Sequence, residues 1–210
     1  MPMLQPISQE QAGDKVAQTY ERLRDLFGDR PIPEPLLVYA NIPAFLGDFY
    51  MNFKKFVYTE GALNPLQKAT IGLAAATYHK CNGWIKFFAE RVKELGAGET
   101  HVADVLAVTA TCQMYNAFFK FRDLSGSDRF SGMSVGLRAH TFSNTSLDEA
   151  TVELINITIS DLNGCKPCTS GHIDKARQLG LSDEALLEAI QCASTMTAGC
   201  SFCNANQAAG

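Results

Sequence analysis

Apolar side chains recur at helical spacing along most of this chain. In the stretch 14–27, Val16, Tyr20, Leu23 and Phe27 lie three or four residues apart, the period that lines one face of an α-helix. Gly28 and the prolines at 31, 33 and 35 end that helix. Residues 36–60 carry a second helical pattern, with Pro43 near its start and an aromatic stripe of Phe45, Phe49, Phe53 and Phe56 that reads as a core face. Asn64 reads as an N-cap and Pro65 as the first residue of the next helix. Ser146-Leu-Asp-Glu149 has the spacing of a capping box and opens another. Asn163-Gly164 and Gly180 read as helix stops, and Ser182 caps a last helix through Leu186, Leu187 and Ile190. No stretch convincingly carries a strand pattern, so the expected fold class is all-α.

The pattern also repeats. A shift of 84 residues lays Leu63–Ala69 on Leu147–Glu153, Ile71 and Leu73 on Ile155 and Ile157, and Cys81 on Cys165. The same shift lays Leu95-Gly96 on Leu179-Gly180 and Leu106 on Ile190. About forty residues hold register without a gap, the signature of an internal duplication. The expected organisation is one domain: an N-terminal helical extension over 1–60, repeat one over about 60–120, and repeat two over about 145–205. The copies differ at informative places. Where the second has Glu153, Cys168 and His172, the first has Ala69, Trp84 and Phe88. One half keeps chemically able side chains and the other replaces them with apolar ones. Cys81 is therefore expected to be a packing cysteine, as are Cys112 and Cys192.

Composition and charge narrow the function. A net charge of −4 and a pI near 5.6 argue against nucleic-acid binding as the main function. No apolar run reaches the ~18 residues of a membrane span, and Met1-Pro-Met-Leu-Gln-Pro6 does not read as a signal peptide. Seven cysteines in a chain read as leaderless fit a reducing cytoplasm, where a C-x-x-C is more often catalytic or metal-binding than a staple.

The chemistry concentrates between Glu153 and His172. If Cys165 opens a helix, Cys165, Cys168 and His172 fall at i, i+3 and i+7 on one face. If the chain reverses at Asn163-Gly164, Glu153 lies ~15 Å back and His172 ~12 Å forward at ~1.5 Å rise per residue, roughly level with each other. A carboxylate, an imidazole and two thiols can then meet between two helices. Lodged among apolar neighbours, the Glu153 carboxyl is expected to have a raised pKa. Cys200 and Cys203 form a second C-x-x-C. With Cys165 and Cys168 it leaves open a Cys₄ zinc site, although the gap between the pairs is long for a zinc ribbon. Otherwise the second pair reads as incidental thiols near a frayed end, or as a secondary redox pair. His79, His101 and His140 read as surface or structural.

Glu153, eleven residues, Cys165-x-x-Cys168, three residues and His172 keep the spacing of a known redox motif. The flanks Asn163-Gly164 and Ala176-Arg-Gln-Leu-Gly180-Leu-Ser-Asp-Glu-Ala185 add to it. In these features the chain resembles the alkyl hydroperoxidase D (AhpD)-like branch of the carboxymuconolactone decarboxylase family. The resemblance implies an antioxidant thiol peroxidase that reduces alkyl hydroperoxides, with Cys168 attacking, Cys165 resolving, and Glu153 and His172 relaying protons. It implies no organic cofactor and no metal, re-reduction by a dithiol of the lipoyl-protein or thioredoxin type, and a homo-oligomer, trimeric or hexameric. The decarboxylase branch lacks the cysteine pair, so lactone decarboxylation is not expected. Pro167 stands where many AhpD proteins carry a second histidine, which makes Cys165-Lys-Pro-Cys168 look more like a general disulfide-exchange motif. A thiol–disulfide oxidoreductase, or a structural or zinc-binding helical module, are the alternatives.

Overall fold

The computed structural model describes residues 2–208, and among them every regular element is helical. Helix α1, Asp14–Phe27, buries Val16, Tyr20, Leu23 and Phe27, and the Tyr20 hydroxyl donates to the Ile7 carbonyl at 2.8 Å. The pattern that predicts one helix over 36–60 is built as three pieces: α2, Glu34–Tyr39; α3, Pro43–Asn52; and a π-helical turn, Phe53–Tyr58. Pro43 has no N–H to give to a preceding turn, so the helix restarts there. The wider π turn rotates the following side chains, so Val57 is buried while Phe56 is only half-buried under the Lys55 ammonium. Phe49 and Phe53 do enter the core, with ring centroids 5.6 and 5.4 Å from that of Trp84.

The rest is two sets of three helices. The first is α4, Pro65–Tyr78; α5, Asn82–Glu94; and α6, Glu99–Leu124. The second is α7, Glu149–Leu162; α8, Lys166–Gln178; and α9, Asp183–Ala208. Adding 84 to each boundary of the first set gives the second. The caps follow the same rule. Asn64 accepts from the Gln67 N–H at 2.9 Å, and Asp148 from the Thr151 N–H at 2.9 Å. The N-cap of α7 is thus Asp148 and not Ser146, as the capping-box spacing predicts. Ser146 is held instead by Asp104 of α6, whose carboxylate accepts from its N–H at 2.7 Å and its hydroxyl at 2.6 Å. The tight turns after α4 and α7 place Lys80 at φ 55° and Gly164 at φ 63°, a conformation glycine adopts without a Cβ clash.

Helices α4 and α7 lie at the centre, buried on all sides over Lys68–Ala76 and Thr151–Ser160. Helices apolar all round are stable only when enclosed. Helix α5 packs on α4 and α8 on α7, while α6 lies against α7 and α8, and α9 against α4. The third helix of each half therefore serves the other half. Lys120 of α6 donates to the Asn163 carbonyl at 3.1 Å, and its counterpart Asn204 of α9 to the His79 carbonyl at 2.5 Å. Each covers the C-terminal end of the other half's central helix, where carbonyls lack intrahelical partners. Among the described residues no helix is long and apolar enough to cross a membrane.

Candidate active site

The short link at Asn163–Cys165 turns α8 back along α7, and this sets Glu153 beside His172. His172 Nδ1 lies 2.6 Å from Glu153 Oε2, and Lys175 Nζ lies 2.9 Å from Glu153 Oε1. Glu153 is almost fully buried at 3 % side-chain exposure, whereas the Lys175 side chain is 53 % exposed. Burial raises the Glu153 carboxyl, but the hydrogen bonds and charges of His172 and Lys175 outweigh it and hold the group below the ordinary carboxylate range. The raised pKa expected from the apolar neighbours of Glu153 is therefore overturned, because a cation reaches the buried end. Hydrogen bonding to Glu153 in turn raises the Lys175 pKa, against a smaller desolvation effect.

Lys175 is the site residue that sequence reasoning missed. Its signal was present: Cys165, Cys168, His172 and Lys175 fall at i, i+3, i+7 and i+10 on one helical stripe. A lysine on an exposed helix face is ordinarily solvated, and nothing local to it marks the buried partner, Glu153, on the preceding helix.

Cys165 and Cys168 are joined as a disulfide with Cα atoms 5.3 Å apart. Cys165 is buried at 1 % exposure and caps α8, and Cys168 is half-exposed in the first turn of the helix. That turn carries no acidic side chain, so nothing within it opposes the helix dipole's preference for an anion. Pro167 occupies a first-turn position where its missing N–H costs nothing.

Cys168, His172 and Lys175 open on a pocket of about 460 Å³. Its far wall is α6, through Cys112, Tyr115, Asn116 and Phe119, and the loop after α6 closes one side with Ala139 and Phe142. The Tyr115 hydroxyl ties that loop down by donating to the Leu137 carbonyl at 2.7 Å. Asn116 is buried and bridges, accepting from the Ser160 hydroxyl at 3.0 Å and donating to Cys112 Sγ at 3.5 Å. Burial pushes the Cys112 thiol up to about 11, so it is a neutral wall and not a nucleophile.

The four-cysteine zinc arrangement does not form. Cys203 lines a separate pocket with Cys81, away from that of Cys168, and Cys165 and Cys168 are bonded to each other. His79 and His101 pair with the hydroxyls of Thr197 and Thr70 at 3.0 and 2.9 Å, and His140 is exposed.

Residues 130–210, which carry this site, match the family described as the carboxymuconolactone decarboxylase family. Relatives named alkyl hydroperoxide reductase AhpD align over most of the chain. That of Anaeromyxobacter sp. (strain Fw109-5) is 25 % identical over 169 residues, covering 80 % of this chain and 90 % of its own. That of Rhodococcus erythropolis (strain PR4 / NBRC 100887) is 27 % identical over 168 residues, covering 80 % and 92 %. The chain is thus AhpD-like in sequence, and its C-terminal part is similar to the carboxymuconolactone decarboxylase family. A shorter alignment, to the protein of the same name from Solibacter usitatus (strain Ellin6076), reaches 34 % identity over 90 residues, or 43 % of this AhpD-like chain and 51 % of the relative. In the AhpD-like chain the family match takes in Glu153, Cys165, Cys168, His172 and Lys175, whereas the apolar counterparts Ala69, Trp84 and Phe88 lie outside it.

Proposed function

We propose that this chain is a thiol peroxidase that reduces organic hydroperoxides through Cys168 and Cys165. One observation carries the reading above others: a half-exposed cysteine at a helix N-terminus shares a pocket with a histidine whose other face is held by a buried carboxylate. In the reduced chain, Cys168 as thiolate attacks the terminal oxygen of a hydroperoxide. An S–O bond forms, the O–O bond breaks, and the departing alkoxide takes a proton. His172 is the donor. With Nδ1 engaged by Glu153, Nε2 is the ring nitrogen left for the pocket, and the carboxylate holds the ring in place between transfers. Lys175 keeps Glu153 ionised for that task. The buried thiol of Cys165 then attacks the Cys168 sulfenic acid, closing the disulfide and releasing water. A dithiol, of the lipoyl-protein or thioredoxin type, restores both thiols by exchange, entering at Cys168 as the more exposed sulfur. The pocket walls of Tyr115, Phe119 and Phe142 suit an alkyl or aryl hydroperoxide. The relatives' name, alkyl hydroperoxide reductase AhpD, supports the same class. We further propose that the chain acts as a homo-oligomer, to be read by sedimentation velocity.

The test is mass spectrometry of the reduced protein before and after one equivalent of cumene hydroperoxide, with peptide mapping. Rapid loss of two hydrogens, mapped to Cys165–Cys168, is the expected result. Cys168→Ser is expected to abolish turnover, and Cys165→Ser to stop it at a sulfenic acid on Cys168. A second reading, general thiol–disulfide exchange, is favoured by Cys165-Lys-Pro-Cys168 with its second sulfur half-exposed. It would be preferred if the reduced chain reacts with disulfides in seconds but leaves the hydroperoxide intact over minutes.

A further inference from the structure

The half of the chain that lacks the C-x-x-C has thiols of its own, brought together from distant positions. Cys81 caps α5 as Cys165 caps α8. It lines one pocket together with Cys203 of α9, and Cys200 stands one turn before Cys203 on that helix. The placement follows from the exchange of third helices. Cys200 and Cys203 are the counterparts, 84 residues on, of Asn116 and Phe119, the α6 residues that wall the pocket at Cys168. The first half has Trp84 where the second has Cys168, and its further thiols come from α9.

The surroundings differ from those of inert core cysteines. Cys81 and Cys203 both line a pocket of about 350 Å³, bordered by Glu34, Asn82, Lys86 and Asn206. Cys203 Sγ also lies 3.3 Å from the Tyr39 hydroxyl, which donates to the Gly199 carbonyl at 2.6 Å and accepts from Trp84 Nε1 at 2.8 Å. This network fixes the α9 side of the cluster. Buried Cys192 has no such company, its sulfur meeting only the Lys68 carbonyl at 3.7 Å, and burial pushes its thiol up to about 12. At Cys81 the thiols of Cys200 and Cys203, acting as donors, outweigh burial, and with the Trp84 N–H they hold its pKa below the ordinary thiol range. Among the described residues no set of three His, Cys, Asp or Glu side chains is arranged to hold a metal ion.

We propose that Cys81, Cys200 and Cys203 form a second thiol centre, in which a small hydroperoxide entering the Glu34–Asn206 pocket oxidises Cys81 and Cys203 to a disulfide clamping α5 to α9. The Cys81 thiolate attacks one peroxide oxygen, forming an S–O bond and breaking the O–O bond, and the released hydroxide is protonated to water. Cys203 then attacks the Cys81 sulfenic sulfur, an S–S bond forms, and the second oxygen leaves as water. Two thiols and one hydrogen peroxide become one disulfide and two waters. Cys200 remains a donor to Cys81. Cys203 is the partner because it shares the pocket with Cys81, whereas Cys200 is fully buried behind it.

The inference does not depend on the reading of the first site, and the test separates them. In the full chain carrying Cys165→Ser and Cys168→Ser, with its helical content checked by circular dichroism, the reduced protein is treated with one equivalent of hydrogen peroxide. It is then quenched in acid, alkylated and digested with chymotrypsin, which cleaves after Phe202 and so separates Cys200 from Cys203. The expected product joins the Cys81 and Cys203 peptides, two hydrogens lighter, and is reversed by dithiothreitol. With Cys203→Ser added, the link disappears and Cys81 is trapped by dimedone as a sulfenic acid. Full alkylation of all three cysteines after peroxide, a link to Cys200, or stoichiometric zinc holding the thiols would each overturn the proposal.

Discussion

At the scale of single residues, the site turns on how a buried carboxylate is kept charged. Glu153 has two oxygens and one cation-capable partner on each, and only one partner, Lys175, is substantially exposed. Its pKa lies below the unfolded value, so its stabilising contribution is fully present above the unfolded carboxylate range and is lost as pH falls through the folded pKa. Glu153→Gln in the oxidised chain is expected to cost about 1.5–3 kcal/mol at neutral pH, the range for hydrogen bonds to charged groups. That gap should narrow as pH falls below the unfolded carboxylate value of ~4.3 and the wild-type carboxylate is protonated. Urea unfolding at several pH values measures it, and an equal gap at pH 3 and pH 7 would remove the ion pair as the cause. Lys175→Met leaves burial less opposed and lets the Glu153 carboxyl rise. On the proposed peroxidase reading, the acid limb of kcat/KM for cumene hydroperoxide is expected to move to higher pH. If Lys175 were an ordinary solvated lysine, the profile would stay where it is.

Among the helices, the two halves show what stands in one where the other carries its polar cluster. In the first half Phe88 fills the place of His172, and it lies so close to α4 that a Cβ on Gly72 would meet its ring at 2.5 Å. Ala69 and Gly72 are small because the ring needs the room, just as Glu153 and Asn156 stand where an imidazole leaves room. Helix α9 makes the corresponding approach at Gly199, where a Cβ would meet the Phe49 ring at 2.6 Å and the Tyr39 hydroxyl at 2.8 Å. Both rings sit in a buried aromatic cluster with Trp84 and have nowhere to move. Gly199→Ala is therefore expected to cost about 1–3 kcal/mol by overpacking, read from urea unfolding, while alkylation of reduced Cys168 proceeds at the wild-type rate. These relations also show which parts of the molecule the sequence could reveal. Helix periodicity, the Asn64 cap and the 84-residue shift are local or periodic, and they were legible. So was the stripe of Cys165, Cys168 and His172, because one helix carries it. The π turn that turns Phe56 aside, the diversion of Ser146 to Asp104 and the meeting of Cys81 with Cys203 depend on what another element does. No spacing within the chain encodes them.

Across the whole molecule, the exchange of third helices makes each half incomplete without the other, and one buried lysine binds the parts together. Lys68 of α4 is fully buried, yet its ammonium reaches three acceptors. The Lys55 carbonyl of the π turn and the Thr59 carbonyl just after it lie at 3.2 and 2.7 Å, and Glu188 of α9 at 2.8 Å. Glu188 uses its other oxygen to accept the Leu63 N–H at 2.7 Å, just before α4, as Asp104 of α6 does for Ser146 before α7. One side chain thus joins the N-terminal layer, the first half and the last helix. A buried ammonium is tolerable only with all its donors used, and here it has three acceptors for three protons. Lys68→Met removes the cation and leaves two carbonyls and a carboxylate facing an apolar side chain. The expected loss is about 3–5 kcal/mol, the range for breaking a buried pair from one side. For a chain of this size that is a fall in Tm of roughly 6–20 °C. Glu188→Gln should cost less, because the Glu188 side chain keeps 13 % exposure and an amide oxygen can still accept from Lys68 or Leu63. Thermal unfolding of the two variants under the same conditions decides the order. If Glu188→Gln proved the more damaging, the weight would lie in the contact to Leu63 and not in the junction at Lys68.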